Sequence, residues 1–385
     1  MKHLIRRLWS AAVLLLGLVA CGGGGGGVGS GGTGGFASGP ITGFGSVIVN
    51  DVRFDDSSAT VEDGDGNRRS RDDLRLGMTV DVDSGVISGG VASATRIRYD
   101  SELRGPVGLV NLAGSSFNVL GQRVTVDATT VFAESLGGLS GLGTGTLVEV
   151  YAVYDVAADR YRAKRVDSAL AGASVQLRGL VNQLDTGAKT LRVGLVTYDY
   201  ATATNVPADL AVGQFVRLRV LATPSNGRFT VLSFGTALQN LPDADGASLK
   251  GLITAFTSSA TFSVNGRPVN AGTASFPDGT AGLAVGVRVE VKGNLRQGVL
   301  RATEVRIRSD EQEDESGFEL HGAIESVNAG SQTFVLRGLT VSTATPGLQY
   351  ENGGPANLVV GRRVEVKGRL STDRQRIEAT RIKFE

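Results

Sequence analysis

One spacing of apolar residues and glycine is written five times along the chain. A leucine stands three residues before a glycine, and apolar residues stand three and five residues after it. The copies are Leu74/Gly77/Val80/Val82, Leu142/Gly145/Val148/Val150, Leu210/Gly213/Val216/Leu218, Leu283/Gly286/Val289/Val291 and Leu358/Gly361/Val364/Val366. The two apolar positions after each glycine alternate with polar ones, the period of a half-buried strand, so each copy predicts a glycine turn opening into a strand. Self-similarity at a spacing of this size makes the chain an array of small modules.

The rest of each repeat adds strands around that element. Repeat one carries Val47, Val49, Val52 and Phe54 around Asn50-Asp51, which predicts two strands joined by a tight turn. The same place holds Phe117-Asn118-Val119 before Gly121 in repeat two, Leu191-Arg192-Val193 before Gly194 in repeat three, and Phe262-Ser263-Val264 before Asn265-Gly266 in repeat four. Four repeats begin Leu-x-Gly-x-Val/Ile, at Gly105, Gly179, Gly251 and Gly322. Four end on a strand introduced by alanine (Ala94, Ala163, Ala302, Ala379), where repeat three has Val231-Leu232-Ser233-Phe234. Five short strands in each repeat suit a small closed barrel, because closure removes the exposed edges of so small a sheet. The expected fold class is therefore all-β, a tandem array of about five small OB-like β-barrel modules. A small open sheet or sandwich is the second choice.

The boundaries read as 1–20 leader, 21–39 cysteine and Gly-rich tether, and modules at 40–100, 101–172, 173–238, 247–309 and 316–385. The polar joints TALQNLPDADG (236–246) and SDEQEDESG (309–317) predict extended linkers, with the loosest hinge before Gly317.

Composition supports strands and turns, since glycine supplies 55 of 385 residues while proline supplies only 9. Residues 1–20 carry Lys2, Arg6 and Arg7 before an apolar run that ends in Leu18-Val19-Ala20-Cys21, the layout of an export signal. The run is too short to span a hydrocarbon core of about 30 Å. The last four residues resemble a bacterial lipobox, which implies lipidation of Cys21 and, with Gly22 next, an outer-membrane address. A lone exported thiol has no disulfide partner, and lipidation gives this single cysteine a purpose. The stretch GGGGGGVGSGGTGGFASG (22–39) predicts a flexible tether. Without the three leader cations the charge is −2, so no polyanion partner is advertised and nucleic acid is disfavoured.

Chemistry is sparse. The chain has two histidines, and His3 lies in the leader, so neither a His-based triad nor a transition-metal site is expected. His321 occupies the slot of Arg104, Arg178 and Lys250 and reads as an exposed polar residue. Asp63, Asp65 and Asn67 alternate as calcium ligands do, but Arg68 and Leu74 stand where the full loop needs Gly and Glu, so a solvated turn is favoured. Asp81, Glu149, Glu290 and Glu365 on the fourth strands face a basic stripe on the fifth, Arg96, Arg98, Arg306, Arg308, Arg381 and Lys383. Cross-strand pairing that sets register is the favoured reading. An anion-binding face for acidic glycan, lipid phosphate or nucleic acid is the alternative.

The stretches VKGNLRQGVLRATEVRI and VEVKGRLSTDRQRIEATRI, with ITGFGSVIVNDVRF near the start, resemble domain of unknown function 5666. The likeness is strong in repeats four and five, fair in one and two, and weak in three. It implies an exported, modular, β-rich protein and brings no catalytic residues. The expectation is a non-enzymatic envelope lipoprotein without cofactor, a modular spacer or interaction protein with a membrane anchor at Cys21 and an envelope protein or glycan as partner.

Overall fold

Each repeat closes on itself through the same ladder of five principal strands. In module two the first strand (Leu103–Asn111) pairs antiparallel with the second (Ser116–Val119) and the fourth (Leu147–Asp155). The second pairs with the third (Gln122–Thr125), which lies parallel to the fifth (Arg160–Ser168), and the fifth returns antiparallel to the fourth. The strand order 1-2-3-5-4-1 is that of an OB barrel. The computed structural model describes residues 34–169, 174–235, 242–309 and 317–385 and repeats this order in all five modules. Module three, whose sequence departs most from the pattern, is no exception. The leader, Cys21, the tether up to residue 33, and residues 310–316 with the expected hinge lie outside the described residues.

Local sequence explains the closure. The hairpin between second and third strands turns on paired left-handed residues, Asn50-Asp51, Leu120-Gly121, Asn265-Gly266 and Arg337-Gly338 in four of the modules. Such turns match the twist of the strands they join. The alanine of the fifth strand marks where the fourth and fifth strands shift register, at Ala94, Ala163, Ala302 and Ala379, with Val231 in that place in module three. A bulge there bends the ladder into a barrel. At this point the backbones nearly touch: a Cβ on Gly293 would lie 2.1 Å from the carbonyl oxygen of Arg301.

The modules are not beads on a string. The described residues belong to one compact unit, tied by pairing between first strands. The first strand of module one (Gly35–Phe44) runs parallel to that of module four (Ala244–Ser258), with Gly35 to Ser38 opposite Gly246 to Leu249. Its far end, Gly43-Phe44, runs parallel to Glu319-Leu320 in module five. The first strands of modules two and three pair antiparallel at Leu103 and Leu177. Edges left open by one barrel are thus covered by another.

Two expectations are corrected here. Residues 35–39, read as tether, are strand, and residues 244–246, read as linker, begin the first strand of module four. Their Gly, Ala and Ser content pointed to a coil, but pairing through main-chain groups needs no particular side chain. Phe36 in this segment is 2% exposed and belongs to the core of module four. Modules two and three share one core, and modules one and five share another that also takes Val131 and Tyr151 from module two.

A charged cavity where four modules meet

The first strands converge on a cavity of about 100 Å³ bounded by modules one to four. Its wall includes Asp81, Arg98 and Asp100 from module one, Glu102 and Tyr154 from module two, Arg178 and Phe215 from module three, and Lys250 and Arg267 from module four. A polar space of that size has room for several ordered water molecules. Arg178 Nη1 donates to Glu102 Oε1 at 3.1 Å, while Glu102 Oε2 is buried and has no hydrogen-bond partner. Arg217 Nε lies 2.9 Å from Asp100 Oδ2, and Gln176 Nε2 donates to Asp100 Oδ1 at 3.0 Å. Arg98 Nη1 lies 3.0 Å from Asp83, and Arg267 lies 3.6 Å from Asp81.

Burial dominates the electrostatics. It pushes the Glu102 carboxyl up to about 7, with Asp100 and Asp81 adding to the rise and Arg178 opposing it. Burial likewise raises Asp100 against the pull of Arg217 and Arg178, and lowers Arg267 despite Asp81. The set is a network of alternating cations and acids, apt for holding modules in place, for ordering water, or for a proton at Glu102.

The fourth strand of module three breaks the acidic pattern of its sisters because its cations face outward from the barrel to a neighbour. Arg217 reaches Asp65 at 2.9 Å as well as Asp100, and Arg219 reaches Asp65 at 2.8 Å, both across a module boundary. Asp100 and Glu102, on either side of Ser101 at the joint of modules one and two, were missed, although acids at so short a joint are a legible signal.

The six basic-stripe residues are all in ion pairs. Arg98 and Arg96 meet Asp83 at 3.0 and 3.8 Å, Arg306 meets Glu304 at 2.9 Å, Arg308 meets Glu290, Arg381 meets Glu365 at 2.7 Å, and Lys383 meets Glu365 at 3.9 Å. Directly opposite in register stand Asp81 and Arg98, Glu290 and Arg306, and Glu365 and Lys383. Arg98 alone of the six borders the cavity.

Asp63 accepts from the backbone of Asp65 and Asn67 at 3.0 and 2.9 Å, and from the side chains of Asn67 and Arg69. These donors, with Arg217 and Arg219 on Asp65, engage the oxygens a calcium ion would need, and they hold Asp63 and Asp65 below the usual carboxylate range although burial opposes them. Cys21 lies outside the described residues.

His321 is not the exposed residue expected from its slot: its side chain is 15% exposed, with Nε2 2.6 Å from Glu319 Oε1 and 3.0 Å from Arg53 Nη1. Ligand atoms of Glu319, His321 and Glu365 lie within 4.8 Å of one another, a spacing compatible with a metal. Arg53 pairs with Glu319, and Arg381 pairs with Glu365, so cations already occupy the cluster. The hydrogen bond with His321, together with Arg53, holds Glu319 down at about 2.

The solved structure of drosophila Unr CSD456 is similar over 55% of this chain and 98% of its own, at 12% identity and a TM-score of 0.16. No curated protein matches. The family described as Domain of unknown function (DUF5666) matches residues 38–98, 104–167, 250–306 and 321–383, leaving module three unmatched. On these four matches, which span more than half its length, the chain belongs to that family.

Proposed function

We propose that the protein is a non-enzymatic cell-envelope lipoprotein, anchored in the outer membrane through Cys21, whose five barrels form one rigid body for binding an envelope partner. The observation that supports an interaction protein over a flexible spacer is the parallel pairing of Gly35–Ser38 with Gly246–Leu249, continued by Phe44 beside Leu320. A chain built to span distance gains nothing from tying its first module to its fourth and fifth. A body so tied keeps loops from different barrels in fixed relation, and preorganisation of that kind lowers the entropic cost of binding.

The test is capture from intact envelopes with the full-length protein, alongside labelling with a palmitate analogue. A partner recovered in comparable amount, and label that disappears in Cys21→Ser, are the expected results. Label retained by Cys21→Ser would sink the anchoring, and turnover of a substrate in an activity screen would sink the non-enzymatic reading.

The alternative is an anionic ligand held on the basic strand face. The carboxylates already beside all six cations weigh against it, since an incoming anion must displace them.

A further inference from the structure

The glycine turn that opens each fourth strand has two fates in this molecule. In module one, Leu76 precedes Gly77 and is 1% exposed. Its carbonyl accepts from Arg165 Nη1 of module two at 3.0 Å, and Gly77 packs so closely that a Cβ would lie 2.5 Å from the Lys164 carbonyl oxygen. The turn is therefore a knob, and the seat is the fifth strand of another barrel, at the arginine opposite Val131 in the parallel ladder. In module four Gly286 also packs on module two, but against Ala157 in the turn between its fourth and fifth strands.

Among the described residues the glycine turns of modules two, three and five have nothing packed on them, and in module five two exposed valines precede the glycine. Gly361 has φ +84° against +83° for Gly77, so the turn is preformed in the same backbone conformation. Val359 and Val360 before it are 53% and 66% exposed, and no atom lies within 4 Å of a Cβ built on Gly361. Module one carries the matching empty seat. Arg96 holds the ladder position of Arg165, opposite Thr60, with its side chain 47% exposed and one long contact, 3.8 Å to Asp83. In modules three and four the position is Ser233 and Glu304, which offer no guanidinium, and in module five it is Arg381, already held by Glu351 and Glu365.

From this reuse the geometry points to a second copy of the chain as the partner: the Val359-Val360-Gly361 turn of one molecule seats on the fifth strand of module one, at Arg96, of the next. The contact joins two different patches, so it is head-to-tail and can propagate. One turn is a small interface, which makes the association weak and concentration-dependent in solution. It extends the interaction reading by naming one partner, and confinement on a membrane would raise the effective concentration.

The test uses the full-length chain in detergent. The expected result is a weight-average mass that rises with concentration, and association at least tenfold weaker in Val360→Asp and in Arg96→Ser. Val360→Ala, which keeps the turn apolar but smaller, should weaken it less. A photo-crosslinking side chain at position 360 should mark the Arg96 strand of an isotopically distinct copy. A mass of one chain throughout, or crosslinks only to lipid or to a different protein, would overturn the proposal. Capture of an envelope partner by a strictly monomeric chain would overturn it while leaving the interaction reading intact.

Discussion

The Phe36 ring lies beneath the guanidinium of Arg267, 5.4 Å from centroid to Cζ, in the core of module four although Phe36 belongs to the first strand of module one. Phe36→Ala removes this buried aromatic from the seam. The expected cost is about 3–5 kcal/mol in denaturant unfolding. If the loss stays below about 1 kcal/mol, the seam does not hold the two modules together.

Arg217 is 6% exposed at its side chain and serves Asp65, Asp100 and Gln176 at once. Arg217→Met leaves buried Asp100 without its paired cation, while Asp65 keeps Arg219, and breaking such a buried pair costs about 3–5 kcal/mol. Urea midpoints should fall accordingly. Arg306→Met, which among the described residues loses a surface contact with Glu304, should leave the midpoint nearly unchanged.

Glu102 sets a pH dependence. Its carboxyl titrates near 7 when folded, against an ordinary value of 4.5, so the folded state keeps a proton that the unfolded chain releases. Its contribution to stability is full below pH 4.5 and is lost as the pH rises through 7. Glu102→Gln should flatten the stability profile between about pH 5 and pH 8 and stabilise the protein by roughly 1–3 kcal/mol at the upper end. A profile unchanged by the substitution refutes the role of Glu102.

Gly293 faces the backbone of Arg301 and Ala302 where the ladder bends. Gly293→Ala should destabilise module four by about 2 kcal/mol or more, because a carbonyl group and not a flexible side chain stands in the way. Gly279→Ala, with nothing within 4 Å, suffers only its backbone cost at φ +76°. Comparing the two melting temperatures separates close approach from turn strain.

Much of the barrel was legible from spacing alone. Leu358, Gly361, Val364 and Val366 mark a turn and two core positions, and the alanines of the fifth strand mark the bend, because these roles depend on size, backbone freedom and period two. The opposition of Glu365 and Lys383 was legible for the same reason, since register follows the pattern. The cavity was not. Asp100, Glu102, Arg178 and Arg267 come from four modules, and no local pattern tells which outward cation of one barrel meets which acid of another. Residues 35–39 hid for a different reason: a strand paired through its main chain can be built from Gly, Ala and Ser, a composition that also describes a coil.

The pairing of Gly35–Ser38 with Gly246–Leu249 also bears on the order in which the molecule can assemble. Modules two and three are contiguous and share a core, so they can close soon after their residues are available. The first strand of module one must wait for a partner strand made much later, and the core it shares with module five waits longer still. Contacts between such distant segments form slowly. The earliest part of the barrel array to be made is therefore among the last to be finished, and until then its open edge is the molecule's most exposed template for mispairing.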